Sequence, residues 1–349
     1  MNIKIFFLAF FIPALLFLPA CRSKKESIRE AISSPTSILP SIVNVRYSEG
    51  VSGVESCKDC HSTIVNEWKD SFLAQATSSK LFFESSDRYN FGECMQCHAP
   101  EKFTIGSKDR PPARSWHRKE GVTCSSCHVE GNRIVGPFGS KAPHGTRRDE
   151  KIRQSIACAP CHQQTHTEWN NSRFAESDKT CQDCHMPAIT RKITDYGFIY
   201  TEKAGKKHTF SIDFSDAVEL DLSIGLFKRD QLILKVTNKG AGHNLPTGIY
   251  GETAVFVELR IFDREKQVYF REEKLMARDG KGIKPNESRN FFYTFKPRSE
   301  RSHLATARVY FTSVNYDEDI KLAEISRYFG DAAENTPNPV QELFQNDNR

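Results

Sequence analysis

The chain has 349 residues, with 11 Cys, 11 His, 38% hydrophobic and 27% charged residues and a formal net charge of +5. This soluble composition excludes a polytopic membrane protein, a disordered chain and a collagen-like repeat. Lys+Arg (49) and Asp+Glu (44) nearly balance, which argues against a nucleic-acid partner.

At the N-terminus, Lys4 leads into an apolar run from Ile5 to Ala20 that is shorter than the roughly 20 residues of a membrane-spanning helix. A charged start, a short apolar stretch and small residues before a cut describe an export signal over 1–20. Its end, Leu18-Pro19-Ala20-Cys21, resembles a bacterial lipoprotein box, although Pro19 departs from the usual residue there. Such a box makes Cys21 the lipid attachment point; the other reading is a plain signal peptide with an incidental Cys. Residues 21–56, with Arg22, Lys24 and Lys25 followed by Ser, Pro and few large apolar residues until Ile42, read as a lipid-anchored tether, because they hold too little apolar surface to fold alone.

Ten of the eleven cysteines then fall in five Cys-x-x-Cys-His motifs. They are Cys57-Lys-Asp-Cys60-His61, Cys94-Met-Gln-Cys97-His98, Cys124-Ser-Ser-Cys127-His128, Cys158-Ala-Pro-Cys161-His162 and Cys181-Gln-Asp-Cys184-His185. A single Cys-x-x-Cys serves equally as a zinc half-site or a redox dithiol. Five copies, each followed at once by His, carry the signature of c-type haem attachment. The two thiols bond the vinyl groups, and His61, His98, His128, His162 and His185 become the proximal iron ligands. Five covalent haems are therefore expected as the cofactors. With about 26 residues per haem, the segment cannot build an ordinary side-chain core, so the haems should supply it and lie close enough to pass electrons.

An internal repeat lies in this window. Cys57-x-x-Cys60-His61-x6-Trp68-x-x-Ser71-x-Leu73-Ala74 aligns with Cys158-x-x-Cys161-His162-x6-Trp169-x-x-Ser172-x-Phe174-Ala175, and a further site follows each copy, at Cys94 and at Cys181. The spacing from His61 to Trp68 and from His162 to Trp169 predicts a helix leaving each site, with the Trp packing on haem. These motifs, with Glu120-Gly121-Val122-Thr123-Cys124 and Thr180-Cys181-Gln182-Asp183-Cys184-His185-Met186-Pro187, resemble the multihaem cytochromes c related to the tetrahaem carrier of hydroxylamine oxidation. The resemblance covers about 57–190. It implies a mainly α, low-regularity domain passing electrons through stacked haems, mostly with two histidines per iron. Many relatives carry a distal His where this chain has Leu73 and Phe174, so their ligand pattern does not transfer whole.

Sixth ligands must then come from the remaining histidines. His117 lies upstream of the third site, His144 sits in Pro143-His144-Gly145, and His208 follows the last site. His166, one turn after His162, cannot reach the far side of the same iron but can serve a neighbour. His303, among charged residues, is expected to face solvent.

From about Asp216 the apolar period changes to two: Val218, Leu220, Leu222 and Ile224; Leu232, Leu234 and Val236; Val255, Val257, Leu259 and Ile261; Ala305, Ala307, Val309 and Phe311. These strands predict an antiparallel β-sandwich, immunoglobulin-like, over 205–330, after a pentahaem domain over 57–200 and before a tail over 331–349. Asn238-Lys239-Gly240-Ala241-Gly242-His243-Asn244-Leu245-Pro246-Thr247-Gly248 is either a tight inter-strand turn or a loop that docks on the haem layer and offers His243 as a ligand. The expected function is electron relay by an exported, lipid-anchored protein on the periplasmic face of a membrane, the outer membrane rather than the inner. Its partners are a quinol-linked donor and a periplasmic or outer-membrane acceptor. The alternatives are a nitrite- or hydroxylamine-type oxidoreductase with one open iron, and a haem-bearing adhesion module.

Overall fold

The computed structural model describes residues 53–329 apart from 132, 140–145, 196–201, 226–227, 249–252, 264, 279, 298–302 and 314–317. The signal segment, Cys21, most of the tether, His144 and the tail lie outside the described residues.

The first region is helical in short pieces. Helix α1 (Gly53–Lys69) carries the first motif and breaks at His61, whose φ of −127° and ψ of 39° are not helical. The Asp195 carboxylate caps the restart, accepting from Ser62 Oγ at 2.7 Å and from the Thr63 amide at 3.0 Å. These bonds hold the Asp195 carboxyl below the usual carboxylate range. Helix α2 (Lys80–Ser85) starts on the Ser79 side chain, and α3 (Gly92–His98) ends on the second motif. The third motif is helix α4 (Cys124–His128). The fourth lies in turns before α5 (Gln163–Asn170) and α6 (Arg173–Glu176). The fifth is α7 (Cys181–His185), begun by a Thr180/Asp183 capping box. Helices therefore follow both His61 and His162, as the repeat predicts.

Two small sheets that alternation does not reveal interrupt these helices: β1 (Val129–Glu130), β2 (Arg133–Gly136) and β3 (Thr146–Arg148), then the pair β4 (Ala188–Lys192) and β5 (Glu202–Lys206).

The C-terminal region is rich in antiparallel sheet. Strands β6 (Val218–Gly225), β7 (Lys228–Asn238) and β10 (Ser288–Thr294) form one sheet in the order β10-β7-β6. Strands β8 (Ala254–Phe262), β9 (Val268–Arg278), β11 (His303–Thr312) and β12 (Ile320–Phe329) form a second, ordered β12-β11-β8-β9. Their inner faces share one buried cluster that includes Leu222, Leu232, Leu234, Val236, Val255, Val257, Leu259, Ile261, Ala307 and Val309. Each large aliphatic side chain buried there contributes about 1.5–3 kcal/mol. Every member of that cluster lies beyond residue 217. The cysteine-bearing region has only scattered buried apolar residues, among them Val65, Met95 and Val135.

Two expectations are corrected. Ile224 is 40% exposed: it lies at the end of β6, where regular pairing with β7 breaks. His303 is buried, not solvent-facing: it opens β11, and its Nδ1 lies 2.9 Å from the Tyr269 hydroxyl.

Candidate functional site

Four of the five motif histidines are oriented by backbone carbonyls. The Nδ1 atoms of His61, His98 and His128 lie 2.7 Å from the Ile193 carbonyl oxygen, 2.6 Å from that of Ala76 and 3.0 Å from that of Val135. His185 Nδ1 lies 3.3 Å from the Ser211 carbonyl oxygen. A carbonyl can only accept, so Nδ1 carries the proton and Nε2 keeps its lone pair, as a metal-ligating imidazole requires. Desolvation holds His98, His128 and His162 below the usual histidine range, which keeps these rings neutral at neutral pH.

Two of the spare histidines face motif histidines. The His128 and His208 ring centres are 6.1 Å apart, and those of His185 and His243 are 6.3 Å apart with planes at 15°. Two imidazoles on opposite sides of one metal, each bonded at about 2 Å, place their ring centres roughly 6.3 Å apart. Both pairs fit a shared iron, and so does the donor chemistry. Burial holds His208 down to about 4 and keeps His243 neutral as well.

The remaining candidates are placed differently. His117 adopts a left-handed conformation (φ 44°), with Nδ1 3.1 Å from a Glu120 oxygen. Just before it, the buried guanidinium of Arg114 donates to the carbonyls of Pro100, Trp116, His117 and Gly121 and to the Thr123 hydroxyl, tying the second motif to the third. His166 lies on α5 beside Trp169, their ring centres 5.5 Å apart. Its pKa is lowered by desolvation. His144 lies outside the described residues.

The structural repeat differs in one respect from the one read in the sequence. The Trp68 indole donates to the Val122 carbonyl at 2.8 Å, and the Trp169 indole donates to the Lys179 carbonyl at 3.0 Å. Val122 and Lys179 each stand two residues before the first Cys of a motif, and Thr123 and Thr180 are the N-caps of α4 and α7. Site three is therefore the counterpart of site five, and the site at Cys94 is an insertion in the first copy. The thiols agree. The Cys57 thiol meets that of Cys124, and the Cys158 thiol meets that of Cys181, which draws Cys181 down to about 7. Cys97 meets Cys161 and is likewise drawn down to about 7, while burial pushes the Cys127 thiol up to about 11. Motifs one and three, two and four, and four and five thus adjoin.

The segment around His243 docks on α5. Glu168 accepts from the Asn244 amide at 3.1 Å and from the Thr247 hydroxyl at 2.6 Å, while the Thr165 and Thr247 hydroxyls lie 2.9 Å apart. Arg173 donates to the Lys239 carbonyl. A methyl group on Gly242 would lie 3.2 Å from Trp169 Cδ1 and 3.4 Å from the Phe174 ring, so the backbone passes directly over these side chains. Asn238 braces the loop from the sheet side, donating to the carbonyls of His243 and Ile283 at 2.9 Å each. Alternation along β7 reveals none of this, because the docking contacts come from residues 66 to 82 positions away.

Among the described residues no three His, Cys, Asp or Glu side chains gather as a metal-binding group. Paired thiols beside an imidazole whose Nδ1 is held by a backbone carbonyl suit a haem instead, and the arrangement defines a multihaem c-type cytochrome domain with c-type haem cofactors.

Residues 56–129 match the protein family described as cytochrome c554 and c-prime. A penta-heme cytochrome c552 from Thermochromatium tepidum has a similar fold, with 17% identity over 80% of this chain and 99% of that one and a TM-score of 0.56. A glycosyl hydrolase family 2 member from Bacteroides cellulosilyticus matches 33% of this chain and 15% of its own, at 13% identity and a TM-score of 0.20. Bacteroides uniformis beta-glucuronidase 2 matches 34% and 14%, at 13% identity and a TM-score of 0.19. No curated protein matches the chain. Among the described residues no helix is long and apolar enough to cross a membrane.

Proposed function

We propose that the protein is an exported pentahaem c-type cytochrome, lipid-anchored through Cys21, that relays electrons between a membrane-linked donor and a periplasmic or surface acceptor. Haem bound at the five motifs supplies one-electron redox chemistry. The chain's own residues do the rest. The ten motif cysteines would hold the groups, and His61, His98, His128, His162 and His185 would each ligate one iron. His208 and His243 would be the second ligands at sites three and five, with His117, His144 and His166 as candidates for the others. The C-terminal sheets read as an immunoglobulin-like sandwich whose loop supplies His243.

The observation that carries the reading is the pairing of His185 with His243 and of His128 with His208 at ring separations of 6.3 and 6.1 Å. Irons ligated on both sides are low-spin and closed to substrate, which suits a carrier. Quantitative electron paramagnetic resonance of the oxidised protein tests this. At least four haems should be low-spin, and His243→Ala should convert one to high-spin. A strong high-spin signal in the unaltered protein would favour the oxidoreductase over the relay. An unchanged spectrum after His243→Ala would remove the docking loop from the account.

A further inference from the structure

The repeat contains one position whose role emerges only from the fold. Glu67 and Glu168 both stand immediately before the repeat tryptophan, 101 residues apart like every other matched pair. The Glu67 carboxylate accepts from the His208 backbone amide at 2.9 Å. Glu168 accepts from the amide of Asn244, the residue after His243, at 3.1 Å. Each carboxylate thus grips the backbone of a distant segment at the histidine that faces a motif ring. In both copies the helix after one site reaches the partner histidine of the adjoining site: α1 of site one for site three, and α5 of site four for site five.

Each grip is reinforced. Arg191 donates to both Glu67 oxygens, at 3.0 and 2.8 Å, and to the Lys206 carbonyl, so the segment entering His208 is clamped on two sides. Gln164 donates to the other Glu168 oxygen at 2.9 Å, leaving Oε2 for the Asn244 amide and the Thr247 hydroxyl. A carboxylate accepts without donating, so it suits a backbone N–H that must be held in one place. Six residues beyond each Glu stand Leu73 and Phe174, side chains that cannot ligate a metal. The Leu73 carbonyl accepts from the Val122 amide, and the Phe174 ring lies under Gly242. Both positions brace neighbouring backbone in place of ligating.

We infer that Glu67 and Glu168 are repeat-related positioning residues, which latch His208 and His243 as the sixth ligands of the haems at sites three and five. The inference rests on the ligand assignment proposed above. With the latch removed, the backbone that carries each ligand is no longer fixed relative to the helix of the neighbouring site.

The test measures haem spin state and individual midpoint potentials in fully loaded protein carrying Glu67→Ala, Glu67→Gln, Glu168→Ala, Glu168→Gln, His208→Ala or His243→Ala. Glu168→Ala should give the high-spin signal of His243→Ala in one haem only, and Glu67→Ala should give that of His208→Ala in a different haem. The glutamine variants keep an acceptor oxygen and should restore most of the low-spin signal. Thr247→Val, which removes a hydroxyl bond to Glu168 and leaves every ligand in place, should shift the site-five potential alone; it decides the matter if an alanine variant fails to mature. If the histidine variants turn high-spin while the Glu→Ala variants and Thr247→Val keep unaltered spin states and potentials, the latch is wrong and the ligand assignment stands. If the histidine variants stay low-spin, the assignment itself fails.

Discussion

Gly121 lies where the first repeat helix meets the third motif, and replacing it with alanine should be costly for reasons that can be summed. Its φ of 65° and ψ of −142° belong to backbone space open essentially to glycine. An added methyl would lie 2.3 Å from the Leu73 carbonyl oxygen and 2.6 Å from that of Ala74, both rigid backbone atoms. The conformational strain is about 1–3 kcal/mol, and relieving the clash costs about 1–3 kcal/mol more. The shift would also stretch the Val122 amide bond to Leu73, at 2.8 Å, and the Trp68 bond to Val122, each worth about 1 kcal/mol. The total, about 4–8 kcal/mol, is a large part of the roughly 5–15 kcal/mol that usually stabilises a domain. Thermal unfolding of purified Gly121→Ala, followed by haem absorbance, should start roughly 10–25 °C lower, or the variant should fail to mature. A melting point within about 2 °C of the parent, with an unchanged spectrum, would refute the argument.

Other outcomes follow from the same contacts. Glu258 is fully buried on β8 against Arg260, Arg271 and Arg308, so Glu258→Ala should destabilise the sheet region by about 3–5 kcal/mol in denaturant titrations. Burial alone would raise its pKa, but the Arg260 hydrogen bond and the neighbouring guanidinium charges hold it below the usual range. Its stabilisation is therefore complete above the unfolded carboxyl pKa and lost as pH falls through the lower folded value, which acid titration of Glu258→Gln against the parent should show as a flatter profile. A chain made without haem attachment should keep the far-ultraviolet β signal of 218–329 and lose the helical one, since the continuous apolar cluster lies wholly beyond residue 217; retained helicity would contradict this. Cys21→Ser should move the protein from the membrane fraction to the soluble exported fraction.

What the sequence made legible depended on how local each signal was. Attachment motifs need only neighbouring residues, and the alternation in β6, β7, β8 and β11 reports one buried face directly. Strand β9 gives no clean alternation because Arg271-Glu272-Glu273-Lys274 interrupts it, β10 because Phe291, Phe292 and Tyr293 run together, and β12 because Lys321, Glu324 and Arg327 are spread along it. The equivalence of sites three and five was hidden because the Cys94 site interrupts the first copy. Glu67 and Glu168 carry no local signal, since the groups they hold, at His208 and Asn244, come from far along the chain. His303 misled for the opposite reason: its charged neighbours in sequence are not its neighbours in space, where Tyr269 and Phe295 enclose it.

Whether five covalent haems organise this chain is read from the intact mass of the mature protein under denaturing conditions. The expected species is heavier than the polypeptide by five haems and the Cys21 lipid. A fully matured species carrying any smaller number would contradict it.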